Sequence, residues 1–321
     1  MLSRRALIAA SGSALLARPA FAQDYPAKPV RIIVPYAAGG ATDILARLLS
    51  IAIERELKQN FVVDNRGGGA SQVGTQAIAS AVADGYTIGM IDSAFTINPG
   101  LFAGKLPYDT QKDFAPVSLV ATAPLVLVVH TSVPADSAQA LVALAKQKPG
   151  TITYALPGLG TPVHLAGEQL RAVAGIDVVY VPYRGAGPSI ADFIAGQVQM
   201  TFATIPSILE HVRAGRARAL AVIGERSALL PDVPTMAEVG LGGIDAALIF
   251  GLVVPAATPA AIVARLSEAS AAAVRGDPLR ARLVELGYVG IGSGAQEFRA
   301  RIDSEIVKWS RIIEAGNIKL G

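Results

Sequence analysis

Short apolar runs alternate with amphipathic stretches along most of this chain. Runs rich in Val and Ile at 30–36, 61–64 and 86–91 read as strands, and apolar residues at helical spacing predict helices over 42–58 and 71–82. The pattern resumes past residue 124. Strands are expected at 125–129, 151–155, 178–181, 198–202 and 220–223, separated by helices at 137–146, 163–173, 190–195 and 207–214. An apolar strand at 248–254 then leads into helices at 259–275, 278–286 and 296–315. Strand–turn–helix repetition is the mark of a parallel sheet covered by helices, and strands with few polar residues fit sheets buried on both faces. The fold class is therefore α/β, with each of two lobes a mainly parallel sheet flanked by helices. The last helices have no strand series of their own and are expected to return over the first lobe. Lobe one would comprise 23–122 plus 246–321, and lobe two 123–245, with crossings near 121–125 and 243–250. Ligands in open α/β sheets sit beyond the carboxyl ends of the strands, so two facing lobes make a cleft.

The first 22 residues stand apart. Arg4 and Arg5 precede an apolar stretch from Ala6 to Ala17, and Ala20-Phe21-Ala22 supplies a small-x-small cleavage pattern. The segment reads as an export signal cleaved near Ala22, leaving Gln23 first and the protein in the periplasm. The paired arginines fit a twin-arginine signal, and an ordinary secretion signal carrying two arginines fits as well. The stretch is shorter than the roughly 20 residues a bilayer span needs. The uncharged run from Ala246 to Ala264 approaches that length. Pro255 and Pro259 interrupt it, and Thr258-Pro259 reads as an N-cap followed by proline at the first helical position. A buried strand feeding a helix is the expectation.

Charge changes the picture only slightly. The chain has 321 residues with 28 Lys+Arg against 25 Asp+Glu. Arg4, Arg5 and Arg18 account for the excess, so the body is formally neutral. A neutral body argues against a nucleic-acid partner, which needs a clustered basic face. The chain has no Cys, which excludes thiol nucleophiles, Cys-based zinc sites and disulfide staples. With 52% hydrophobic residues it has ample material for a core.

Catalytic signatures are missing: no G-x-S-x-G elbow, H-E-x-x-H, Walker loop or G-x-G-x-x-G occurs. His130, His164 and His211 are too scattered for a metal site, and no cofactor is expected. Four Gly/Ser/Thr-rich turns lie between a strand end and a helix start, at 38–43, 67–71, 92–96 and 157–161. Such turns present free backbone N–H groups and the partial positive charge of a helix N-terminus, an anion site that needs no Lys or Arg. Tight turns of this kind also need glycine for geometry alone, so a pair from opposite lobes facing one cleft would mean more than any single turn.

The segments VRIIVPYAAGGATDILAR, VVDNRGGG, LPYDTQKDFAPVSLV, GTPVHLAGEQL, VPYRGAGPSIADFIAGQVQMTF, LPDVPTMAEVG and FGLVVPAATP, in this order, resemble the Bug-type extracytoplasmic solute receptors of tripartite tricarboxylate transporters. The resemblance runs over about 25–309. It implies a monomeric periplasmic binding protein of the Venus-flytrap kind (type II) that captures a small carboxylate and delivers it to membrane permease subunits. By that resemblance the first turn holds a carboxylate, which places Tyr36, Ala38, Gly40 and Thr42 at the site, with Ser93 after the third strand. The second lobe contributes Gly158, Gly160, Thr161, His164 and the strand end at Thr204.

Departures from the family pattern bear on the ligand. Asn65-Arg66-Gly67-Gly68-Gly69-Ala70-Ser71 stands where the family usually has N-R-P-G-A-G-G, and Leu156-Pro157 replaces a common serine. Members that bind amino acids commonly carry an acid near Ala203. With Ala203-Thr204 there, no carboxylate is expected to meet an ammonium group, which favours a non-amino mono- or dicarboxylate. Asp43 and Arg47 read as an i,i+4 pair, and Trp309 as packing. Two other readings stay open: a receptor that feeds a sensor without a permease, and a hydrolase or isomerase working through His164 and Glu168.

Overall fold

The computed structural model describes residues 25–244, 246–315 and 318, so the export-signal reading of residues 1–22 lies outside the described residues. The chain forms two sheets. In the first, β1 (Val30–Val34), β2 (Phe61–Asn65) and β3 (Thr87–Asp92) are parallel, with β1 central to the three. Next to β3 runs β10 (Leu248–Pro255), antiparallel to it and to β4 (Phe114–Ala123), and the two-residue β11 (Val289–Gly290) closes the edge. The second sheet has the order β7 (Val179–Pro182), β6 (Thr153–Leu156), β8 (Met200–Thr204), β5 (Leu125–His130), β9 (Ala217–Val222).

Both sheets are mixed rather than mainly parallel. The reason lies in the connections. A single residue, Pro124, separates β4 in the first sheet from β5 in the second, and the chain returns to the first sheet through β10. Strands that leave and re-enter a sheet this way run in opposite directions, so β10 pairs antiparallel with β4 and β5 pairs antiparallel with β8 and β9. The βα units far from the crossing keep parallel pairing.

Burial explains the strand compositions. All residues of β3 and β10 are buried, which is why TIGMID and LIFGLVVP lack polar alternation. The edge strands β2 and β7 are half-buried or exposed at most positions. Helix α1 (Ala41–Leu57) turns Leu45, Leu49, Ile53 and Leu57 inward at helical spacing and ends at Lys58 in the left-handed conformation. The C-terminal helices α8 (Ala260–Arg275), α9 (Asp277–Leu286) and α10 (Ala295–Ala315) cover the first sheet, with Phe298, Ile302 and Trp309 of α10 fully buried. Trp309 packs in the core, and Asp43 pairs with Arg47 at 3.0 Å. The apolar run after Ala246 is the buried β10 followed by α8. Pro259 itself is the N-cap there, one position later than the Thr258 cap the sequence suggests. Among the described residues no helix is long and apolar enough to cross a membrane.

Three elements escape the periodicity. Pro116 sits inside β4, where a bulge opposite Val253 accommodates it. Helix α3 (Ala94–Leu101) is short and carries Pro99. Helix α6 (Ala186–Ile194) begins four residues before the expected start, because Gly185-Ala186-Gly187-Pro188 reads as a turn.

Candidate functional site

The carboxyl ends of β1, β3, β6 and β8 face one another across the two sheets and enclose a cavity with about 570 Å³ of empty space, its opening to solvent included. The first sheet contributes Tyr36, the start of α1 (Gly40 to Thr42), Asp92 and Leu248. The second contributes Pro157, Thr161 to Val163 at the start of α5 (Pro162–Ala174), Ala186, Ser189 and Ile190 of α6, the β8 segment from Thr201, and Ser207 of α7 (Ile205–Arg213). Among the described residues no Lys, Arg or His lines it.

Helix ends supply the positive potential instead. Gly40 caps α1 without a side-chain hydrogen bond, and the same holds for Gly185 at α6 and Thr204 at α7. Uncapped first-turn N–H groups and the aligned peptide dipoles favour a negatively charged group. At α5 the Thr161 hydroxyl accepts from the His164 backbone N–H, and Pro162 removes a donor. At α7 Pro206 likewise removes a donor and the Ile205 N–H reaches the Pro124 carbonyl at 3.4 Å, so anion stabilisation from the second sheet falls mostly to α6.

The expected site residues divide accordingly. Tyr36, Gly40, Thr42, Thr161 and Thr204 come together in the cavity. Gly158 lies in an adjoining hollow with Gly68 to Gln72, Leu159 and Arg184. Ala38 is exposed, with its carbonyl against Gly187. Gly160 donates its N–H to His164 Nδ1 (3.3 Å), so that group is engaged within its own turn. Ser93 is fully buried and its hydroxyl accepts the Ile249 N–H at 2.9 Å, which ties α3 to β10 and keeps it out of the cavity lining. His164 is also absent from the lining: its ring meets Tyr180 edge-on, Nε2 lies 3.7 Å from Glu168, and burial lowers its pKa. Glu168 is held by Arg171 at 3.1 Å, so the His164–Glu168 pair is a packed, paired unit outside the cavity.

Asp92 is the group the sequence reading passed over. Among the described residues its carboxylate is the one acidic side chain in the cavity lining, and it is 6% exposed. Tyr36 Oη donates to Oδ1 at 2.8 Å, the Ala94 N–H donates to Oδ1 at 2.9 Å, and Thr42 Oγ1 donates to Oδ2 at 3.3 Å. Burial dominates these donors, and the pKa is pushed up to about 6. The argument that no carboxylate is at hand to meet an ammonium group therefore fails. It considered only the end of β8, whereas the acid comes from the end of β3 in the other sheet. An acid closing an otherwise apolar strand was the available signal. Ser189 and Ser207 were hidden for a different reason, since α6 and α7 both begin earlier than their apolar periodicity shows.

A raised carboxyl pKa has a defined linkage. The folded state holds its proton more tightly than the unfolded state does, so the stabilising contribution is full below pH 4 and is lost as pH rises through about 6. In the unliganded protein, Asp92→Asn should remove that loss and leave the variant more stable at pH 7.5 by about 3 kcal/mol at most. Urea unfolding at pH 7.5, 6 and 4.5 should show the gap between the two proteins closing as pH falls. His164 works the other way, losing its contribution as pH drops below its usual range, but it is common to both proteins and cancels.

Two mixed, helix-flanked sheets, joined by two chain crossings around a cavity at the strand ends, define the periplasmic binding protein class. The chain belongs to the tripartite tricarboxylate transporter receptor family, whose model matches residues 45–318. Protein BugT of Bordetella pertussis is 35% identical over 307 residues, covering 95% of this chain and 94% of the relative. Among solved structures, the periplasmic binding protein BugD superposes with a TM-score of 0.89 at 28% identity, over 92% of this chain and 99% of that one. An R. palustris protein solved with adipate gives 0.89 at 32% identity over the same shares. MatC from Rhodopseudomonas palustris, with bound malate, gives 0.86 at 27% identity, over 90% and 100%. The chain is accordingly a solute-binding receptor and not an enzyme.

Proposed function

We propose that this receptor captures a small carboxylate in the cavity between its two sheets and passes it to the membrane subunits of a tripartite transporter. The observation that carries this reading is the uncapped N-terminus of α1 opening into a cavity that no basic side chain lines among the described residues. That arrangement solvates one carboxylate by backbone N–H groups, and the Thr204–Ser207 hydroxyl pair, which shares one bond at 2.6 Å, keeps one hydrogen for the ligand. Structural relatives that hold adipate and malate support the ligand class.

The units centred on the two sheets act as lobes, 23–122 with 246–321 and 123–245, hinged where β4 meets β5 and where the chain returns to β10. Closure brings α6 and α7 onto a ligand already held at α1, so ligand binding shifts an open–closed equilibrium without covalent chemistry. The protein works as a monomer in the periplasm after cleavage near Ala22.

A thermal-shift screen of the chain from Gln23 to Gly321 against carboxylates, sugars and cationic metabolites tests the reading. A ligand at 100 times its dissociation constant adds about 2.7 kcal/mol, and the expected shift for carboxylates is about 4–5 °C. Shifts confined to sugars or to cations lacking a carboxylate would overturn it.

A further inference from the structure

We propose that the ligand carries a cationic nitrogen in addition to its carboxylate, and that Asp92 is the residue that selects for it. This rests on the carboxylate-receptor reading and narrows it.

The helix ends of α1, α6 and α7 supply partial positive charge for one anionic group, and among the described residues no Lys, Arg or His of the lining adds to it. A ligand carboxylate occupies that potential. Asp92 then remains as a second negative charge in the same small, water-poor space. Two anions enclosed together repel strongly at low effective dielectric, and closure of the cavity removes the water that would screen them.

Hydrogen bonding points the same way. Oδ1 of Asp92 accepts two well-formed bonds, from Tyr36 and Ala94, and is saturated. Oδ2 accepts a single long bond from Thr42 at 3.3 Å and retains an acceptor position. Thr42 is also a first-turn residue of α1, so the free position of Asp92 and the carboxylate site at the α1 N-terminus are adjacent by construction. The rest of the wall is supplied by Leu248, Pro157, Pro162, Val163 and Ile190, which accommodate a short aliphatic link between the two polar ends of a ligand. A compact zwitterion matches this layout: carboxylate to the helix N–H groups, nitrogen to Oδ2.

Asp92 thus acts as a specificity residue, accepting amino-bearing acids and repelling acids of the same length that lack a donor. The test is calorimetric titration of the purified protein at pH 7.5 with matched pairs: 4-aminobutyrate against butyrate and succinate, 5-aminovalerate against valerate and glutarate, and 3-aminopropionate against propionate. Each titration is run in two buffers of different protonation enthalpy, which counts the protons exchanged. The expected result is binding of at least one amino- or ammonium-bearing acid about 30-fold or more tighter than its donor-free partners, with no proton taken up. Asp92→Asn should erase that preference. Should the variant fail to fold, the matched pairs and the proton count on the unaltered protein still decide. Tighter binding of succinate, glutarate or a plain monocarboxylate, with about one proton taken up, would overturn the inference and leave the receptor reading intact. So would an unchanged preference in Asp92→Asn. Silence from every acid in both series overturns the carboxylate reading, and this inference with it.

Discussion

Replacing Gly187 by alanine should weaken ligand binding by about 100-fold while leaving the unliganded protein at least as stable. Gly187 lies in the first turn of α6, where a Cβ atom would overlap the carbonyl oxygen of Ala38 and approach Gly39. Ala38 belongs to the turn between β1 and α1 in the first sheet's unit, so the conflict arises only where the two units meet. Gly187 has an ordinary helical backbone, unlike Gly160 with its φ of +74°, and alanine there meets no local strain. Within its own helix alanine is the better residue, by up to about 1 kcal/mol. Overpacking against backbone costs about 1–3 kcal/mol, and that cost falls on the closed form alone. Calorimetry with the tightest acid from the screen, paired with urea unfolding of the free protein, separates the two effects. Equal affinities for the two proteins would show that the seam yields, and a matching loss of stability would place the defect in folding instead.

Trp309→Ala should cost about 3–5 kcal/mol of stability, which lowers the melting temperature by roughly 10 °C. Trp309 is fully buried on α10, where the C-terminal helix lies over α3 and β4 of the first sheet. Deleting it leaves an indole-sized cavity beneath the last helix, in a main cluster that already includes Ile97 and Ile313. Differential scanning calorimetry reads the loss directly. A change under 1 kcal/mol would mean that α10 repacks freely and contributes little to the first sheet's core.

Much of this architecture was legible because burial leaves a periodic trace. The runs VRIIV, TIGMID and LIFGLVVP announce strands, since a strand covered on both faces has no polar side to show. The return of the last helices to the first sheet followed from their lack of strands. Less visible was anything fixed by pairing between distant segments. The antiparallel partnership of β4 and β10 depends on where the chain crosses, and Pro116 disguised β4 as loop. At the site, the turn at Gly40 was readable because glycine at a helix start is a local signal. The placement of Ser93, His164 and Gly160 was not readable, because each is consumed by a neighbour that only the fold supplies: Ile249 for Ser93, Glu168 and Tyr180 for His164, and the ring of His164 for Gly160. Asp92 was missed by the same logic in reverse. The end of β8 carries no acid, and the end of β3 in the other sheet provides one.

The rim where residues 37–40 face 185–187 consists of alanine and glycine alone, with backbone meeting backbone. Such a rim presents almost no side-chain area, so its contact adds little apolar burial or dispersion. It behaves as a lid without a latch. If the cavity closes on a carboxylate as proposed, the groups of the solute that bridge the helix ends supply at this rim the grip that the rim itself lacks, and the shell would report its own loading there. Any surface that pulls residues 37–40 away from 185–187 gains release of the contents without having to break a side-chain contact along that rim.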